Sequence, residues 1–102
     1  VKEARHKLFL ACVGERAALF RVPLVKAFSR NQLSLLYSAD AKSLKSQMRH
    51  ADSMGATYVL ILGEDELQKG IVLLRNMHDG SQSELPLDVA SLPERLEKLL
   101  VE

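Results

Sequence analysis

Thr57-Tyr58-Val59-Leu60-Ile61-Leu62-Gly63-Glu64-Asp65-Glu66 decides the architecture of this chain. Six β-branched, aromatic and aliphatic residues run without a charge, then meet a glycine and three carboxylates. A run without polar alternation suits a strand buried on both faces, as in a parallel sheet. Working outward, Leu8-Phe9-Leu10-Ala11-Cys12-Val13 repeats the pattern and stops at Gly14, and Leu33-Ser34-Leu35-Leu36-Tyr37 reads as another strand.

The segments between the strands carry helical spacing. From Glu15 to Asn31, apolar residues recur at Ala17, Phe20, Leu24 and Phe28. Pro23 interrupts them, which predicts either a kink or a short turn followed by a separate helix. Ser38 to Lys42 is a polar connection. Ser43 is placed to cap a helix to about Met54, with Leu44, Met48, Ala51 and Met54 on its apolar face and Gly55 at its end.

Downstream, Ile71 to Arg75 reads as a strand, Asp79-Gly80 as a turn, and Gln82 to Leu85 as the second arm of a hairpin. Ser91-Leu92-Pro93-Glu94 is a capping-box sequence opening a last helix with the stripe Leu92, Leu96, Leu99 and Leu100. The expected order is β-α-β-α-β-β-β-α. This is an α/β fold, a three-layer mixed five-stranded sheet with three helices. Right-handed crossovers make the first three strands parallel, and the hairpin adds antiparallel ones.

Composition agrees with one domain over residues 1–102. Hydrophobic residues make up 47% and charged residues 26%, which excludes disorder as the main state. No repeat or linker divides the chain, and no run approaches the ~20 apolar residues of a membrane span. The single Cys12 excludes a disulfide scaffold. With no recognisable leader peptide, a reducing, cytoplasmic setting is expected. The absence of an initial Met points to a piece of a longer chain.

The net charge of +1 conceals an asymmetry: residues 1–50 hold ten Lys and Arg against three acids, a net of +7, and residues 51–102 a net of −6. Such a basic half fits a polyanion-facing surface, although a difference in helix surfaces would look the same.

Several chemistries are poorly supported. Gly14 stands alone after the first strand, so a phosphate loop is not expected. His6, His50 and His78 have no metal-ligand spacing. Cys12 lies in an apolar strand without a visible base, as a buried hydrophobe rather than a nucleophile. Glu64, Asp65 and Glu66 cluster at a strand end, where a solvated turn, a magnesium site and acceptors for base amino groups are the possible readings. Phe9, Phe20, Phe28, Tyr37 and Tyr58 all fall in apolar runs and read as core. RNA binding, if present, would then use hydrogen bonds and charge.

Three stretches together form a recognisable pattern: Ser43-Leu44-Lys45-Ser46-Gln47-Met48 through Ala51-Asp52-Ser53-Met54-Gly55-Ala56, then Val59 to Leu67 with Gly63-Glu64-Asp65-Glu66, then Gly70 and Leu74-Arg75. The pattern resembles the C-terminal anticodon-binding domains of histidyl-tRNA synthetases, closely over residues 43–75 and in element order elsewhere. Pro23 and the glycine-poor Ser38–Lys42 loop depart from it.

The resemblance implies a tRNA-binding module, with histidine-accepting tRNA as partner. It carries base contact onto Glu66 and Arg75. Lys42, Lys45 and Arg49 form the expected positive surface, with Asp40 and Gln47 as further RNA contacts. It also implies that ATP and Mg serve a separate catalytic domain of the parent ligase, a homodimer, with no cofactor here and no membrane partner. The alternatives are a synthetase-like regulatory domain without tRNA function, as in the regulatory subunit of ATP phosphoribosyltransferase, and a stand-alone α/β enzyme.

Overall fold

A computed structural model describes residues 7–38 and 43–100. Five strands form one sheet: β1 (Leu8–Cys12), β2 (Leu35–Tyr37), β3 (Tyr58–Leu62), β4 (Ile71–Asn76) and β5 (Gln82–Pro86). Their spatial order is β2-β1-β3-β4-β5. β1 runs parallel to β2 and β3, while β3, β4 and β5 form an antiparallel meander. The mixed sheet expected from the apolar runs is present.

Alternation across the sheet creates two cores. Leu8, Leu10 and Cys12 share one face with Leu60, Leu62, Val72 and Leu74. That face packs against Ala17, Leu24, Phe28, Leu92 and Leu96 from the helices α1 (Glu15–Ala18), α2 (Arg21–Arg30) and α5 (Leu92–Leu100). Phe9, Ala11, Val59 and Ile61 point the other way and meet Ala51 of α3 (Leu44–Ser53). Every residue of β1 is buried, because helices cover both of its faces and strands both of its edges.

The helices differ from expectation in number. The segment around Pro23 is two helices. Leu19 and Phe20 donate to the carbonyls of Arg16 and Ala17, three residues back, which tightens and ends α1. Leu24 then donates to Phe20 at 3.0 Å, inside α2. Pro23 is the third residue of α2, within the first turn, where backbone N–H groups have no intrahelical acceptor. It therefore costs no hydrogen bond and does not kink the helix.

The second addition is α4 (Glu64–Lys69), where the sequence reads as a turn. Its three N-terminal carboxylates complement the helix dipole, and Gly70 closes it at φ 70°, a left-handed conformation cheap for glycine. None of its residues is buried, so it carries no hydrophobic period.

Ser43 caps α3 as expected, its hydroxyl accepting from the Ser46 N–H at 3.1 Å. The inner face of α3 is corrected at one position. Leu44 is 39% exposed, and Gln47 is buried in the interior beside Ala51. Leu99 is likewise 43% exposed at the last turn of α5. It borders a shallow pocket of about 260 Å³ with Tyr58, Leu74, Asn76, Ser81 and Ser83.

Leu60 is wholly inside the larger core. Leu60→Ala is expected to cost about 2–5 kcal/mol, the range for deleting a buried leucine side chain. Chemical denaturation measures it, and a midpoint matching the parent protein would contradict this packing.

Candidate nucleic-acid interface

The two faces of the sheet are unequally covered. α2 and α5 pack on one, whereas α3 packs against β1 on the other. Over β4 and β5 the α3 face remains partly open. Leu73 and Arg75 of β4 are half-buried there, opposite Glu84 and Gln82 of β5, which are exposed. This polar and cationic ground sits beside the buried Val59 and Ile61 of β3.

Arg75 is held in place. Its Nη1 donates to Gln82 Oε1 at 3.0 Å. A Cβ added at Gly80 would lie 3.8 Å from Nη2, an ordinary contact, so this glycine is not needed for room. Its φ of 78° is the reason for glycine in the hairpin. The same turn is braced by Asp79, whose carboxyl is held below the usual carboxylate range, chiefly by the backbone N–H of Ser81.

Glu66 lies elsewhere. Its Oε1 accepts from the Gly63 N–H at 2.8 Å, capping the start of α4. The antiparallel return of β4 aligns Arg75 with Val59, near the beginning of β3, whereas Glu66 follows the end of that strand. The two charges therefore do not share one cavity or form an ion pair. The salt bridge found among the described residues joins Arg16 to Glu64 at 3.3 Å. Both side chains are largely exposed, so it is worth about 0–1 kcal/mol.

Lys45 and Arg49 are exposed one turn apart on α3. Asp40 and Lys42 lie outside the described residues. Gln47 is a correction. Its side chain is fully buried, its Oε1 accepting from the Cys12 N–H at 3.0 Å and its Nε2 donating to the Cys12 carbonyl at 2.7 Å. A carboxamide committed to β1 in this way is not presented to RNA. A glutamine on an amphipathic helix reads as surface by default, and only the structure reveals the backbone pair it satisfies.

Burial pushes the Cys12 thiol up, with the Arg21 guanidinium pulling partly the other way, so a reactive thiolate is disfavoured. His50 meets Phe9 edge-on at 5.6 Å, and His78 is exposed in the hairpin; His6 lies outside the described residues. Among the described residues no group of three or more His, Cys, Asp or Glu is arranged to hold a metal. No helix there is long and apolar enough to cross a membrane.

One aromatic escaped the reading as core. Tyr37 is 41% exposed, and Arg21 stacks on its ring. A tyrosine in an apolar run defaults to the interior, and only the short edge position of β2 exposes it.

A family model described as the anticodon binding domain matches residues 7–99. The chain belongs to this family. Its sequence is 40% identical over 81 residues to a histidine–tRNA ligase of Dehalococcoides mccartyi, covering 79% of this chain and 19% of that protein. It is 36% identical over 95 residues to a histidine–tRNA ligase of Thermotoga sp. (strain RQ2), covering 91% and 23%. Among solved structures, apo histidyl-tRNA synthetase of S. aureus superposes with a TM-score of 0.79 at 27% identity, over 88% of this chain and 26% of that one. The chain thus spans about a fifth of the length of the curated relatives it matches.

In this anticodon-binding domain, Gln47→Leu is expected to destabilise by about 2–4 kcal/mol, because the substitution leaves two buried backbone groups of Cys12 unpaired. Lys45→Ala should change stability by no more than about 0.5 kcal/mol, as an exposed side chain does. Denaturant titration of both separates them, and equal effects would contradict the buried role of Gln47.

Proposed function

We propose that this domain grips the anticodon arm of histidine-accepting tRNA, as a module of a histidine–tRNA ligase. The curated relatives, named as such ligases, support this over a regulatory role without tRNA. ATP and Mg would act in a catalytic domain of the longer ligase, which charges histidine onto tRNA in the cytoplasm as a homodimer. In this domain itself no cofactor is required, because binding and reading are the work of side chains.

The observation that carries the reading is Arg75. It is half-buried on the open α3 face, braced by Gln82, with its planar fork set on a rigid strand. Arginine is the side chain best suited to the two acceptors of a guanine edge. Glu66, at the start of α4, would accept from an amino group on a second base, contacting the RNA separately from Arg75. Lys45 and Arg49, together with Lys42, would hold phosphates, while Asp40 would contact the loop. Gln47 supports this surface from beneath, by anchoring α3.

Arg75→Ala is expected to weaken binding of the cognate tRNA by about 1–3 kcal/mol and to narrow the gap between it and an anticodon-swapped tRNA. Titration of both tRNAs measures this. Equal losses would make Arg75 a phosphate contact, and no loss would remove it from the interface. The double substitution Lys45→Ala and Arg49→Ala should weaken both tRNAs alike and flatten the salt dependence by roughly 0.7–0.9 log units per decade for each lost contact.

A further inference from the structure

We propose that Tyr37, backed by Arg21, is a stacking platform for a nucleobase of the bound RNA. This rests on the reading of the domain as a tRNA binder and adds a contact outside the α3 face. Tyr37 ends β2, a strand of three residues at the edge of the sheet, with no strand beyond it among the described residues. It alternates with Leu36, so its ring belongs to the α2 face of the sheet, opposite Arg75. Phe9 and Phe28 are buried, and Phe20 and Tyr58 half-buried; Tyr37 is the aromatic with a large exposed surface.

The ring is positioned before any ligand arrives. The Arg21 guanidinium carbon stands 5.0 Å from its centroid. Arg21 Nε is buried without a hydrogen bond, and the guanidinium, which also interacts with the Cys12 thiol, meets the ring in a cation–π contact. Every nucleobase has a π face, and an arginine–tyrosine pair stacks with bases of any sequence.

Charge selects RNA over protein as the occupant. Leu19 and Val22, neighbours of Arg21 in sequence, are exposed and would also suit a protein surface. Yet residues 7–38 and 43–50 carry seven Lys and Arg against the single acid Glu15. Among these, Arg16, Lys26 and Arg30 are exposed on α1 and α2, and Lys45 and Arg49 on α3. A base on Tyr37 would bring its phosphates to the α2 side of the sheet, where Lys26 and Arg30 are exposed on the helix that packs beside β2, whereas an apolar protein partner would have to desolvate these cations.

The test is titration of the full chain with a transcript of histidine-accepting tRNA at several salt concentrations. Parent protein, Tyr37→Ala, Tyr37→Leu and Tyr37→Phe are compared, with thermal melts of each. Tyr37→Ala and Tyr37→Leu should bind about ten-fold more weakly, the size of one base–aromatic stack. Tyr37→Phe should stay within about two-fold, and none should alter the salt slope, since no phosphate contact is removed. Should Tyr37→Ala melt early, Tyr37→Leu carries the test, because it keeps the apolar packing and lacks only the π face. A Tyr37→Leu protein that melts normally and binds like the parent overturns the stacking role and leaves this patch to a protein partner. A loss accompanied by a shallower salt slope overturns it as well, by making Tyr37 a phosphate contact. Failure of the parent protein to bind the tRNA overturns the tRNA reading, and this proposal with it.

Discussion

The carboxamide of Gln47 bonds to both backbone groups of Cys12, and much of the molecule is arranged around that pair. Cys12 ends β1, where the chain leaves the sheet for α1. A buried amide with two complementary partners is costly to shift, because a displaced carboxamide strands one donor and one acceptor away from water. The bond therefore locks α3 over β1. With α3 fixed there, no helix of the described residues lies across β4 and β5 on that face, and Arg75 keeps its access. The open ground proposed here for RNA follows from where one glutamine anchors one helix.

The larger core imposes the complementary constraint. Leu24, Phe28, Leu92 and Leu96 fill the face opposite α3, so α2 and α5 are held by burial rather than by polar bonds. One face of the sheet is thus sealed by hydrophobic packing, and the other is half-sealed by a helix held in register by a hydrogen-bonded pair. The sealed layer supplies most of the buried apolar area, and the α3 face is left partly open over β4 and β5.

Where burial dictates composition, the fold was legible in the sequence. The runs at Leu8–Val13 and Thr57–Leu62 declared buried parallel strands, and Ser43 declared a helix start that its hydroxyl now caps. α4 was not legible, since a helix with no buried residue has no apolar period. Pro23 misled in part, because a proline in a first turn and a proline in a helix interior look alike without knowing where the helix begins. At the site, the lysine and arginine of α3 could be placed on its outer face from spacing alone. Gln47 and Tyr37 could not, since each occupies the environment opposite to its type's usual one. The separation of Glu66 from Arg75 also needed the register, because a helix rather than a turn joins β3 to β4.

The strand order bears on how the sheet is assembled. β3, β4 and β5 are successive and pair through short connections, so their contacts are local. β1 pairs with Leu35–Tyr37 on one side and Tyr58–Leu62 on the other, across stretches of about 27 and 50 residues, read from Leu8 opposite Leu35 and Tyr58. Closing such loops costs entropy before any bond of β1 repays it. The first strand of the chain is thus the one most dependent on residues that follow it. During synthesis, β2 can offer the five apolar residues of β1 one edge early, but the second edge is closed only once residue 62 has emerged, and the meander that follows completes the template on which they settle.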